Sequence, residues 1–193
     1  MKLGIFGGSF NPIHRGHYEI VRQILALRKV DRVFVVPAYR NPFKADSKPL
    51  PAALRLALIK ATFKEVSEVE VLSTELEQPE LSYTYLTLEK IRAQYPQDEL
   101  FLILGSDAFS LFHQWKKAKQ ILKLASLLVF RRQLENSLDL EPALELVGNQ
   151  VEWLDLELPQ ISSTEIRIEE IEGLTQKKWL HPQALKVWVE AQK

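Results

Sequence analysis

The feature of this 193-residue chain that most restricts its fold is a series of short, nearly unbroken apolar runs set between stretches of helical periodicity. Residues 100–104 read LFLIL, residues 32–37 read RVFVVP and residues 127–130 read LLVF. A strand with one wet face alternates polar and apolar side chains. A run that is apolar throughout is buried on both faces, as in a parallel sheet covered by helices. Residues 3–6, 70–73 and 151–154 complete a set of six expected strands. Helical patterns fall between and after them, at 17–27, 52–63, 84–94, 115–122, 142–146, 163–171 and 182–191. Pro51 precedes the second helix as a favourable first-turn residue, and Pro96 stops the third. The expected fold is therefore α/β, a Rossmann-like, doubly wound, mainly parallel sheet with helices on both faces. Residues 1–193 read as one domain, with 163–193 as a helical C-terminal portion.

Composition narrows the function. The chain has 25 Lys+Arg against 25 Asp+Glu, and a sequence pI of about 6.9. That balance argues against a nucleic-acid binder, whose domains run strongly basic. There is no cysteine, which excludes disulfides, thiolate catalysis and cysteine-based zinc sites. The apolar run at the N-terminus stops at Gly7-Gly8, too short for a signal-peptide core. No apolar stretch approaches the roughly 18 residues that span a bilayer. A cytoplasmic protein with no membrane association is expected, and a homo-oligomer is compatible with all of this.

The charges are sorted into blocks. Residues 1–64 carry 12 basic and 3 acidic side chains, and residues 65–107 carry 2 and 10. Most such charges are solvated helix faces. The sharper reading is that the positive N-terminal block meets phosphate.

Open α/β sheets bind ligands at the C-terminal ends of their strands, which directs attention to the segments after each strand. GGSFNPIHRGH, residues 7–17, joins the first strand to the first helix. Its glycine spacing is neither the dinucleotide fingerprint nor a Walker A loop. It offers free backbone N–H groups and two imidazoles, His14 and His17, beside a helix N-terminus, a setting that favours a phosphate. Two histidines at this spacing are also half of a zinc site, but the remaining histidines are remote and metal ligation by the protein is not expected. Residues 160–167, QISSTEIR, carry a helix-start signature at Ser162 or Ser163. The plain reading is an N-cap with an exposed Arg167. After a strand of the same sheet, the segment also supplies hydroxyls, N–H groups and a guanidinium to a polyphosphate.

These two segments resemble the paired signatures of the adenylyl/cytidylyl-transferase superfamily. Within it, SYTYLTL at 82–88 is similar to an element of the nicotinate-nucleotide adenylyltransferases, as are Gly105-Ser106-Asp107 with Trp115 downstream, the proline-rich loop 37–44 and LVFRR at 128–132. The resemblance covers residues 1 to about 170. It departs at Phe43, where the family usually has His, at Gln133 for Pro, at Leu86 for a polar residue, and at Val187-Trp188-Val189 near the end.

The resemblance implies transfer of AMP from ATP to nicotinate mononucleotide, with Mg²⁺ bridging phosphates and no covalent enzyme intermediate. His14, His17, Lys44 and Arg167 would be the catalytic set. Gly8, Ser9, Phe10, Gly16, Gly105, Asp107, Ile161, Ser162, Ser163 and Thr164 would hold ATP. Tyr83, Thr84, Trp115 and Arg132 would hold the acceptor. Plainer roles stand beside these: Trp115 as a helix anchor next to Phe112, Asp107 as a helix cap, and Lys44 as a solvated loop residue. Rival functions are the same transfer to nicotinamide mononucleotide or another phosphorylated acceptor, or a non-catalytic nucleotide-binding regulator. A nucleic-acid module using the basic stretch 116–132 lacks the interleaved aromatics of single-strand binders.

Overall fold

The structure, a computed structural model, describes residues 1–44, 49–77, 81–131 and 138–192. Six strands form one sheet: β1 (Lys2–Gly8), β2 (Arg32–Pro37), β3 (Val69–Val71), β4 (Glu99–Gly105), β5 (Ser126–Phe130) and β6 (Val151–Leu154). Their order is β3-β2-β1-β4-β5-β6, and all five pairings are parallel. The chain leaves β1 toward one edge and returns past it to build the other. The reversal lies between β1 and β4, where such sheets open a crevice at the strands' C-terminal ends.

The apolar strands are buried on both faces, as expected. Val33 and Val35 of β2 enter one core, with Ile20, Val21 and Ile24 of helix α1 (Arg15–Ala26) and Leu58 and Ile59 of α2 (Ala52–Phe63). Phe34 and Val36, one residue out of phase, enter the other core. There they join Leu88 and Ile91 of α3 (Thr84–Gln94) and residues of the helices that follow β4. The two-residue period of a strand thus feeds two cores, and the sheet divides them.

The helix boundaries needed correcting in three places. After β4 a short helix, α4 (Ser106–Ser110), was not anticipated. The helix expected at 115–122 is instead a 3₁₀ turn, Phe112–Gln114, followed by α5 (Ala118–Leu124). Lys117 between them has φ +58°, a left-handed backbone that no continuous helix contains. Trp115 therefore sits in a corner, free of a helix's side-chain geometry. α6 (Glu141–Val147) and β6 follow as expected. The C-terminal portion then holds three helices instead of two: α7 (Ser163–Ile168), α8 (Ile171–Lys177) and α9 (Pro182–Glu190). α9 packs on α2, and Leu174 of α8 with Ala184 and Trp188 of α9 enters the first core. Among the described residues no helix is long and apolar enough to cross a membrane.

Candidate active site

The loop after β1 is shaped by Phe10. Its φ is +43°, a region that bulky side chains rarely enter. Burial holds it there: the ring is 2% exposed, edge-on to Phe6 at 5.5 Å and to His17 at 5.1 Å between centroids. Strain of this kind concentrates at functional loops. His14 then caps α1. Its backbone N–H donates to Nδ1 of His17 over 3.2 Å, and the two rings lie 3.7 Å apart between centroids. Because Nδ1 of His17 accepts, its neutral ring carries the proton on Nε2, so the opposite edge of the ring is a donor. Gly16 fits the same packing. A Cβ there would stand 3.0 Å from the His14 imidazole. The G-H ending of the loop motif thus leaves room for two imidazoles in one helical turn.

Gly105 plays the corresponding part at the end of β4. A Cβ on it would lie 2.5 Å from Oδ1 of Asp107 and 3.2 Å from the Phe130 ring. Asp107 is exposed in the first turn of α4, and its carboxylate occupies the space that a side chain at Gly105 would fill.

α7 is fastened to the β1 loop. Ser162 is its N-cap: the Ser162 hydroxyl accepts from the Glu165 N–H at 3.2 Å, and the Ser162 N–H donates back to the Glu165 carboxylate at 2.9 Å. Donation from the Ser162 hydroxyl and N–H holds the Glu165 carboxyl below its ordinary range. The plain reading of Ser162 as a cap is therefore correct. Ser163 donates its hydroxyl to the Pro12 carbonyl at 2.9 Å, and Arg167 Nη1 donates to the Asn11 carbonyl at 2.6 Å. Arg167 Nη2 also reaches the Thr164 hydroxyl at 3.1 Å. Residues more than 150 positions apart in sequence are joined by these bonds.

The result is a cavity of about 500 Å³ lined by Gly8, Ser9, Phe10, His14, His17, Gly105, Asp107, Ile161, Ser162, Ser163, Thr164 and Arg167. Thirteen of the expected residues lie here once Trp115 is added. A second cavity of about 450 Å³ shares the wall formed by Gly7, Gly8, Ala38, Asn41, Leu104 and Trp115. It holds Tyr83, Thr84, Phe43 and Lys116. Trp115 has its ring 5.4 Å from that of Phe112 and lines both cavities. A third, of about 960 Å³, shares His14, Ile161 and Ser162 with the first and is lined further by Gly16, Ile20, Arg131 and Leu156. Gly16 belongs to this third cavity, a displacement from the expected set that costs it no role in placing His14. Lys44 ends a 3₁₀ turn, Pro42–Lys44; its side chain, like the whole of Arg132, lies outside the described residues.

Two residues were missed in the sequence. Glu75 lines the second cavity, where the Thr87 hydroxyl donates to its carboxylate. Burial raises its pKa above the ordinary carboxylate range, opposed by the hydroxyls of Thr87 and Ser82. Ser82 in turn accepts from the Tyr39 N–H at 2.9 Å. Arg55, on α2, is buried at 1% exposure and reaches the wall of the first cavity. A lone arginine inside the apolar helix pattern AALRLALIKATF was its one available signal.

Residues 5–169 match the cytidylyltransferase-like family. A protein of Thermus thermophilus named probable nicotinate-nucleotide adenylyltransferase is 36% identical over 192 residues, 98% of this chain and 97% of that one. One of Clostridium novyi with the same name is 35% identical over 86% of this chain and 85% of its own. Among solved structures, a nicotinic acid mononucleotide adenylyltransferase of Plasmodium falciparum complexed with NaAD superposes with a TM-score of 0.76 at 20% identity. That alignment covers 98% of this chain and 95% of the other.

Proposed function

Because the chain belongs to the cytidylyltransferase-like family and, within it, to the nicotinate-nucleotide adenylyltransferases, we propose that its three cavities hold the parts of one substrate pair. The reaction is transfer of AMP from ATP to nicotinate mononucleotide, a step of NAD biosynthesis. The purine would lie in the cavity beyond His14, the phosphates and ribose in the histidine cavity, and the pyridine ring in the aromatic one. The acceptor's phosphate oxygen attacks the α-phosphorus in line. The new P–O bond forms as the bond to the β-phosphate bridging oxygen breaks, and pyrophosphate leaves with that electron pair. No side chain is a nucleophile here. Catalysis is positioning together with stabilisation of charge moving onto the leaving group.

His17 donates from Nε2 to a phosphate oxygen, and His14 lines the same wall. Arg167 and Ser163 act through the loop they hold and lie on the leaving-group side, the side to which the resemblance would also assign Lys44. Asp107 receives the ribose hydroxyls. At the acceptor end, Trp115 and Tyr83 flank the ring, and the first turn of α3 at Thr84 presents helix N–H groups to the ring carboxylate. Mg²⁺ would neutralise phosphate charge. The donor set suits an ion carried by the nucleotide's own oxygens and waters, since Asp107 is the lone carboxylate among the expected site residues. A cytoplasmic setting, with ATP at hand, goes with this reading.

The observation that carries the proposal is the close imidazole pair at the N-terminus of α1, His14 buried and His17 partly buried, at the point where the sheet order reverses. The test is pyrophosphate release from ATP and Mg²⁺ with nicotinate mononucleotide, compared with nicotinamide mononucleotide. A higher kcat/KM for the nicotinate compound is expected. No pyrophosphate with any pyridine nucleotide would overturn the reading.

A further inference from the structure

Arg55 combines three properties that do not occur together by default. Its side chain is essentially sealed from solvent at 1% exposure. Its hydrogen bonds all go to backbone carbonyls: Nη1 to Ser9 at 2.8 Å and Ala38 at 2.7 Å, Nη2 to Tyr39 at 3.3 Å, and Nε to Leu50 at 3.2 Å. Among the described residues none of its partners is a carboxylate. A guanidinium stays charged in proteins, and a buried charge is ordinarily paired. Burial lowers its pKa, opposed by Tyr39. It also has five N–H donors; four are used by these bonds, and one on Nη2 has no acceptor among the described residues. This charge reaches the wall of the histidine cavity.

The carbonyls it holds matter as much as the charge. In a trans peptide the C=O and the following N–H point to opposite sides. Drawing the Ser9 carbonyl onto Arg55 therefore turns the Phe10 N–H away from it. Drawing in the Ala38 carbonyl does the same for the Tyr39 N–H, which indeed leaves on the other side to reach Ser82. One buried cation thus fixes the peptides at the ends of both β1 and β2.

We propose that Arg55 is a positioning residue for polyphosphate: it supplies a fixed buried charge whose counter-ion is the bound triphosphate, and it orients the Ser9–Phe10 peptide toward it. This rests on the reading that the histidine cavity takes the phosphates of ATP.

The experiment compares wild type with Arg55→Met, Arg55→Gln and Arg55→Lys, each checked for folding by circular dichroism. Dissociation constants are measured by calorimetry at low salt for ATP and for inorganic triphosphate, which has neither base nor ribose. The neutral variants are expected to weaken both ligands at least about tenfold, while the KM for nicotinate mononucleotide changes less than about threefold. The lysine variant is expected to stay within about threefold of wild type for both, with a lower melting temperature. Folded neutral variants that bind ATP normally would overturn the proposal, as would equal weakening of ATP and acceptor, the mark of a purely structural arginine. If neither neutral variant folds, the lysine variant decides, and a loss there above about tenfold rejects the charge role. Failure of wild type to bind ATP at all would sink the functional reading instead, and so is distinguishable.

Discussion

The histidine cavity and the aromatic cavity share a wall at Gly7, Gly8 and Trp115, yet they are built on different principles. The histidine cavity is mostly backbone geometry. A strained Phe10, two glycines whose missing Cβ atoms make room for His14 and Asp107, and a capped helix fix its shape. The aromatic cavity is mostly side chains gathered from the ends of β1 and β4, the 41–43 turn, the β3–α3 connection and the corner at Trp115. A backbone-defined site tolerates almost no substitution and suits chemistry that does not vary. A side-chain-defined one can be retuned residue by residue and suits the part of a substrate that distinguishes it from its relatives.

The largest test of this contrast is His17→Ala. Turnover is expected to fall at least about 100-fold, roughly 2.7 kcal/mol of transition-state stabilisation, with the melting temperature nearly unchanged, since His17 is only partly buried. A variant within fivefold of wild type would show that the imidazole is not part of the chemistry. Gly16→Ala probes the same cavity without touching a functional group. The added methyl stands 3.0 Å from the His14 ring, so the ring or the helix start must shift, costing about 1–3 kcal/mol of stability by overpacking. Turnover is expected to fall about tenfold or more with ATP and acceptor affinities little changed. Equal activity in steady-state assays would mean that His14 has room to relax.

Trp115→Ala addresses the aromatic cavity. It removes a ring from the acceptor's side, so the KM for nicotinate mononucleotide should rise about tenfold, in line with the worth of a stacked aromatic. The KM for ATP should move far less. If both rise together, Trp115 is chiefly the anchor on Phe112 and the two cavities are not separable.

The same contrast explains what could be read in the sequence. The strands announced themselves because burial on both faces leaves runs without polar interruption. The histidine cavity was legible because its constraints are local: His14, Gly16 and His17 lie within four residues, and Ser162 and Glu165 within another four. Its closure was not legible, because the bonds from Ser163 and Arg167 to the first loop cross the whole chain. Arg55 escaped because a cation in a helix pattern is usually solvent-facing, and only tertiary packing shows that it is not. Glu75 escaped for a related reason. A carboxylate in a loop is ordinarily solvated, and its burial depends on Ser82 and Thr87 folding over it. The break at Lys117 has no sequence signal, since lysine seldom takes a left-handed backbone.

Glu75→Gln is the next smaller test. The folded-state pKa of Glu75 is raised, so the folded protein favours its protonated form relative to the unfolded chain. Its contribution to stability is full below the ordinary carboxylate pKa and is lost as pH rises through the raised value. The melting temperature of wild type minus that of the glutamine variant is therefore expected to fall as pH rises from about 4.5 toward neutrality. A flat difference across that window in thermal melts would show that Glu75 titrates normally and is solvated.

Phe43→His carries the smallest expected effect. Phe43 stands half-exposed at the mouth of the aromatic cavity, its N–H donating to the Asn41 side chain at 2.9 Å. It lines that cavity and is absent from the wall of the histidine one. An imidazole at position 43 should therefore alter the KM for ATP less than about threefold, since an exposed, unanchored donor contributes little against water. Its effect should fall on the acceptor, where loss of an apolar ring edge beside the pyridine raises KM by a similarly small factor. A gain of fivefold or more in ATP affinity on restoring histidine would place residue 43 with the phosphates after all. Residue 43 would then join Asn41 on the wall that the two cavities share.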